Sequence, residues 1–268
     1  MSFDTMNCAR RPGLVSISFR ELSPDEIVDL VAESGLQGIE WGGDVHVPHG
    51  DLETALRVGE LTGAAGLKVA SYGSYYRFDE CGGDSESDGP SMESVLKTAV
   101  ALGAPAIRVW AGRAGPNEIS REVRESIVRR AQEFGEKASF LGIRLDFEYH
   151  ENTLTETPES TLGLLESVNC SNVRSLWQPP LQMLPQLRLE GLRQIKPWMS
   201  NVHCNYFDQE PWPDIKPLND GEMEWAPYLE ELADSADERW VLIEHVCDHS
   251  VEQFKSDAIA LKKWLSAY

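Results

Sequence analysis

Residues 23–41 read SPDEIVDLVAESGLQGIEW, and this stretch sets the pattern for the rest of the chain. Ser23 precedes Pro24, and Glu26 follows three positions later. That is a capping-box signature, with proline at the first helical position, where its missing N–H costs nothing. Gly35 then marks a helix end, and 38–41 reads as a short strand. A capped helix delivered straight into a strand is half of a β–α repeat.

The repeat continues in both directions. Strands are expected over residues 14–19, 38–41, 68–72, 106–110, 144–149, 173–177, 199–205 and 240–246. Between them come helices over 24–34, 52–65, 92–102, 119–141, 158–168, 181–195, 225–233 and 251–265. Units of roughly 30 residues, each a strand followed by a helix, imply a parallel sheet joined by right-handed crossovers. An open doubly wound sheet would show the same alternation. Two features favour closure: there are eight units, and no Gly-x-Gly-x-x-Gly turn follows any strand. The expected fold is therefore α/β, a single (β/α)₈ TIM barrel using residues 1–268.

Composition narrows the class of function. The chain has 268 residues, 41% of them hydrophobic and 25% charged, and no apolar run approaches the roughly 18 residues of a membrane helix. Residues 1–12 lack the apolar core of a signal peptide, so a soluble, cytoplasmic protein is expected. The formal net charge of −20 opposes contact with phosphate backbones or an anionic membrane. Neither nucleic acid nor membrane is expected as a partner; a homo-oligomer is left open. The five cysteines form no C-x-x-C pattern and read as small hydrophobes in a reducing compartment.

Chemistry enters where the barrel wall turns polar. Side chains two apart on a strand share a face. In the fifth strand, Leu145, Phe147 and Tyr149 suit packing against helices, which leaves Asp146, Glu148 and His150 pointing inward. In the seventh, Asn201, His203 and Asn205 share the inner face. The sixth strand runs into Gln178, and the eighth ends at Glu244. Charges inside a barrel are costly unless paired or bound to metal. Glu148, Gln178, His203 and Glu244 fall at the same height on four consecutive strands. An oxygen/nitrogen set without thiolate suits one divalent metal ion, Mn²⁺, Co²⁺, Mg²⁺ or Zn²⁺.

In this register, and from residues 14–18 through 242–244, the chain resembles the xylose isomerase-like barrels, which include sugar isomerases, ketose 3-epimerases and apurinic endonucleases. The resemblance implies that Glu148, His203 and Glu244 hold a divalent metal. The epimerases carry Asp on the sixth strand, so Gln178 departs from their pattern: its carbonyl oxygen can still ligate, with one negative charge fewer.

The remaining candidates line the rim. Glu40, His46, Tyr72, Arg108, Trp110 and Asn205 are expected to contact substrate, with Trp and Tyr able to stack on a sugar ring. Arg77, Arg108 and Arg113 are possible anion holders. Two long connections, 77–91 and 207–224, follow strands and are expected to act as lids.

The expected function is a metal-dependent sugar isomerase or epimerase, working by proton abstraction next to a carbonyl of a small-molecule sugar substrate. Glu148 and Glu244 would serve as the proton-transferring pair and His150 as an auxiliary catalytic residue. A lyase that eliminates a β-substituent from a keto-sugar uses the same residues, and a non-catalytic sugar-binding barrel is a further alternative. A DNA repair endonuclease would need a His-rich cluster and a basic face, which six histidines and the acidic charge do not supply.

Overall fold

The computed structural model describes residues 10–79, 89–181, 183–208, 214–233 and 238–268. Its barrel strands are β1 (Arg10–Val15), β2 (Gly38–Gly42), β3 (Lys68–Arg77), β4 (Ala106–Trp110), β5 (Arg144–Glu148), β6 (Val173–Trp177), β7 (Met199–Cys204) and β8 (Arg239–Ile243). They close in sequence order, all parallel, with β8 returning to β1. The helices α1 (Pro24–Glu33), α2 (Leu52–Ala64), α3 (Met92–Leu102), α4 (Arg121–Phe140), α5 (Pro158–Val168), α6 (Pro185–Ile195), α7 (Glu222–Ala233) and α8 (Val251–Ala267) each follow a strand. The chain is thus an (β/α)₈ barrel.

Local chemistry explains the element ends. Ser23 accepts from Glu26 N–H while the Glu26 carboxylate accepts from Ser23 N–H, completing the capping box of α1. Asp51, Ser91, Ser120, Thr157 and Ser250 cap five other helices, each side chain accepting one otherwise orphaned backbone N–H. Gly103 leaves α3 at φ +72°, a left-handed exit that glycine takes without a Cβ penalty.

Among the expected boundaries that move, three matter most for the fold and the site. The first strand ends at Val15, not at 19: Ser16 Oγ accepts from Gly42 N–H, and residues Ser16–Phe19 coil into a 3₁₀ turn. That turn sets Phe19 edge-on against Phe254 of α8, with centroids 5.6 Å apart. β3 runs on to Arg77 through a register shift between Gly73 and Tyr76, with Tyr75 at φ +54°. β8 stops at Ile243, so Glu244 stands just beyond the ladder, its N–H donating to Cys204 O.

The main core lies between the barrel wall and the helices, with Ile39, Ile107, Val109, Leu145, Phe147 and Val202 among its fully buried residues. A small second cluster, Val15, Ile17, Ala70 and Leu242, sits apart from it. Of the connections expected to act as lids, 77–91 falls mainly outside the described residues, and 207–224 does so only at 209–213. Of the second, residues Phe207–Asp208 and Asp214–Ile215 pair as a short antiparallel ribbon. Among the described residues Cys170, Cys204 and Cys247 are free thiols, and only Cys204 is the fully buried small hydrophobe expected. Among the described residues no helix is long and apolar enough to cross a membrane.

Candidate metal centre

Alternation along the strands puts Glu40 (β2), Gly73 (β3), Arg108 (β4), Glu148 (β5) and His203 (β7) on the inner surface of the wall, opposite the residues that face the helices. Glu148, His203 and Glu244 converge: each offers one donor atom, and these atoms lie within 4.8 Å of one another, all three residues buried. Parallel pairing makes this possible. Leu242 is registered beside His203, so Glu244, two residues on, comes down at the same end of the barrel.

The donors are held by charge. Arg108, 1% exposed, donates from Nε to Glu40 Oε1 at 2.7 Å and from Nη1 to Glu148 Oε2. Ser71 donates to Glu40 Oε2, which also faces His203 Nε2 at 3.4 Å. His203 Nδ1 lies 3.2 Å from Glu244 Oε2 but is not aligned for a hydrogen bond. Burial alone would discharge these groups, yet the mutual pairing reverses it. Glu40 is held at about 2 despite desolvation, by Arg108 and His203. Burial would lower the His203 pKa, but Glu244 and Glu40 outweigh it and raise the ring to about 10. Glu244 is held well below the usual carboxylate range against its burial, chiefly by His203.

The set fits a divalent cation. A ligating imidazole must be neutral. With His203 neutral, three buried carboxylates face one guanidinium, and the two uncompensated charges are those of one dication. His203 Nδ1 is then an orphaned buried acceptor turned towards Glu244.

Beside the donors opens a cavity of about 210 Å³, walled by residues that include His150, Gln178, Asn205, Phe207 and His245. Gln178 donates from Nε2 to Glu148 Oε1 at 3.1 Å, so the carbonyl expected to ligate belongs to an amide whose nitrogen grips a neighbouring candidate ligand. His150 Nδ1 lies 2.7 Å from Glu151 O. A carbonyl only accepts, so Nδ1 carries the proton and Nε2 is left basic in the neutral ring. The ring stacks on Trp110 at 4.5 Å, and Arg77 lies over the same indole at 3.7 Å.

Other expected contacts go elsewhere. Tyr72 faces the helices, donating to Val47 O at 3.0 Å and meeting His49 Nδ1 at 2.7 Å; alternation turns it away from inward Gly73. His46 is buried against Ser16 Oγ at 2.9 Å and Trp41, a clasp between the ends of β1 and β2. Glu40 and Arg108 pair with each other and do not line the cavity. Asp146 pairs with Arg144 on its own strand, at 2.7 and 2.9 Å.

His245 was not legible in the sequence. Strand alternation would send it to the face opposite Glu244. Instead φ of +61° turns it into the cavity wall, with Nε2 3.7 Å from Glu244 Oε2. A non-glycine residue in that conformation is uncommon, and its N–H is tied to Ser18 Oγ at 3.0 Å.

Residues 28–266 match the model of the xylose isomerase-like TIM barrel family. The chain belongs to that family. Over 202 residues it is 27% identical to the 3-dehydroshikimate dehydratase of Bacillus anthracis, covering 71% of this chain and 69% of that protein. A crystal structure of the probable 3-dehydroshikimate dehydratase involved in petrobactin synthesis in the same organism superposes with a TM-score of 0.78. That pair shares 22% identity over 94% of this chain and 98% of the other. D-psicose 3-epimerase from Clostridium cellulolyticum, solved with D-tagatose, has a TM-score of 0.70 and 14% identity, covering 96% of this chain and 98% of its own. The chain thus has a dehydratase among its sequence relatives and shares its fold with an epimerase.

Proposed function

We propose that the protein is a metal-dependent lyase that removes water from a small hydroxylated ketone, after taking a proton from the carbon beside the carbonyl. The convergence of Glu148, His203 and Glu244 beside the cavity carries this reading. Those three residues would hold the cation, with Gln178 next to Glu148. A bound dication polarises a carbonyl and acidifies the adjacent C–H.

The side chains then divide the work. A carboxylate at Glu148 or Glu244 takes the α-proton, and the C–H electron pair becomes part of a C=C bond as the β-hydroxyl leaves. That hydroxyl departs as water once an acid gives it a proton. His150 is the candidate acid: its ring lines the cavity, its Nδ1–H is engaged with Glu151 O, and Nε2, when protonated, would be the donor. Asn205 and His245 supply polar contacts for substrate hydroxyls. The dehydratase relative is the comparison that favours elimination over the isomerisation first expected.

A second reading, 3-epimerisation of a ketose, draws on two carboxylates meeting at one point: Glu148 and Glu244 could remove and return a proton on opposite faces of one carbon. Protein loaded with Mn²⁺ or Mg²⁺ and given 3-dehydroshikimate and a panel of keto-sugars in deuterated water separates the two by NMR. Elimination gives loss of water and, from a cyclohexenone, aromatic signals. Epimerisation gives deuterium at the inverted carbon. Neither elimination nor α-proton exchange with any member overturns both.

A further inference from the structure

Glu40 is a fully buried carboxylate that neither lines the cavity nor belongs to the convergent donors. Its two oxygens nevertheless reach two of those donors. Oε2 faces His203 Nε2 at 3.4 Å. Oε1 accepts from Arg108 Nε at 2.7 Å, and Arg108 Nη1 in turn donates to Glu148 Oε2. We infer that Glu40 and Arg108 are positioning residues of the metal centre: a carboxylate–guanidinium bridge that fixes the His203 ring and the Glu148 carboxylate before a cation arrives. The inference rests on reading Glu148, His203 and Glu244 as metal ligands.

The surroundings are shaped around this bridge. On β3, Gly73 lies against it: an added Cβ there would come within 2.6 Å of Arg108 Nη2 and 3.1 Å of Glu40 Oε1. Any side chain there would push the pair apart. Tyr75, lifted by the irregularity in β3, sets its ring under the guanidinium at 4.8 Å. Ser71 holds the Glu40 oxygen that faces His203. Arg108 can serve two carboxylates because its planar fork donates in two fixed directions; the ammonium of lysine has no such geometry. A carboxylate behind the second ring nitrogen is the usual means of fixing the tautomer and orientation of a ligating histidine.

The test is Mn²⁺ binding, read as the loss of free-ion signal by electron paramagnetic resonance, with wild type, Glu40→Gln, Arg108→Lys and Asp146→Asn. Asp146 makes a buried ion pair with Arg144 on the same strand as Glu148 but outside the bridge, so it reports generic damage from losing a buried charge. Glu40→Gln and Arg108→Lys should each weaken Mn²⁺ binding about 10–100-fold, the range for partners behind metal ligands. Asp146→Asn should stay within about twofold. Wild-type affinity in folded Glu40→Gln and Arg108→Lys overturns the bridge and leaves the metal site standing. Equal weakening in all three variants, in step with lost thermal stability, also overturns it. If Glu40→Gln does not fold, Arg108→Lys, which keeps the charge, decides by the same criteria. Wild type without Mn²⁺ affinity removes the metal reading itself, and this inference with it.

Discussion

His203 Nδ1 stands 3.2 Å from Glu244 Oε2, while Nε2 of the same ring faces Glu40 at 3.4 Å. One imidazole is therefore placed between two buried carboxylates, and in the metal-free protein it carries a proton up to about pH 10. A cation that takes Nδ1 must displace that proton. Metal affinity should therefore rise with pH, about tenfold per unit between pH 6 and 8. Calorimetry in buffers of different ionisation enthalpy should show one proton released per Mn²⁺. The sign for folding is opposite. The raised pKa stabilises the metal-free protein fully below about 6.5, and that contribution is lost as pH climbs towards about 10. Metal uptake without proton release would remove His203 from the ligand set.

Whichever of Glu148 and Glu244 takes the α-proton should lose at least roughly 10²–10⁴-fold in turnover when changed to Gln, because an amide keeps the shape but accepts no proton at neutral pH. Exchange of the substrate α-proton with deuterated water identifies the residue that takes the proton first. A variant lacking only a later proton donor still exchanges. Near-normal turnover in either metal-loaded variant would exclude that glutamate from proton transfer.

Gln178→Asp should act in opposite directions with and without metal. Without metal it replaces the Nε2 donor that meets Glu148 at 3.1 Å with a second carboxylate, costing about 1.5–3 kcal/mol from the lost charge-assisted hydrogen bond. With metal, the added charge strengthens attraction to the dication. Thermal melts should show a lower midpoint than wild type in chelator and a larger upward shift on adding Mn²⁺. An unchanged or smaller shift places residue 178 outside the ligand set.

Gly73→Ala should destabilise the fold by about 1–3 kcal/mol, the usual range for overpacking. The new Cβ would meet Arg108 Nη2 at 2.6 Å, and that guanidinium cannot swing aside, being tied to Glu40 and Glu148 at once. Urea denaturation of metal-free protein measures the change. Full wild-type stability would mean that the bridge is loose.

Most of the barrel was legible because its determinants are local. Ser23, Pro24 and Glu26 mark a helix start whatever surrounds them, and β5 shows its two faces through a period of two. Glu148, His203 and Glu244 could be singled out for the same reason: the first two continue a polar inner face and the third follows an apolar strand, and parallel pairing of successive strands carries them to one height. What Glu40, Arg108, Tyr72 and His245 do could not be read that way. Whether Glu40 meets substrate or Arg108 depends on a partner 68 residues away, brought near only when the sheet closes. Tyr72 was expected at the rim, where its strand was expected to end; in the barrel β3 continues past it, and inward Gly73 leaves Tyr72 with the helices. His245 enters the cavity through one left-handed backbone angle, held by Ser18 from the far end of the chain. The sequence by itself determined the elements, their order and the polar register of the wall, since these depend on near neighbours. Only the tertiary structure decided which charges pair with one another and which converge at one point, because burial makes pairing compulsory and closure alone chooses the partners.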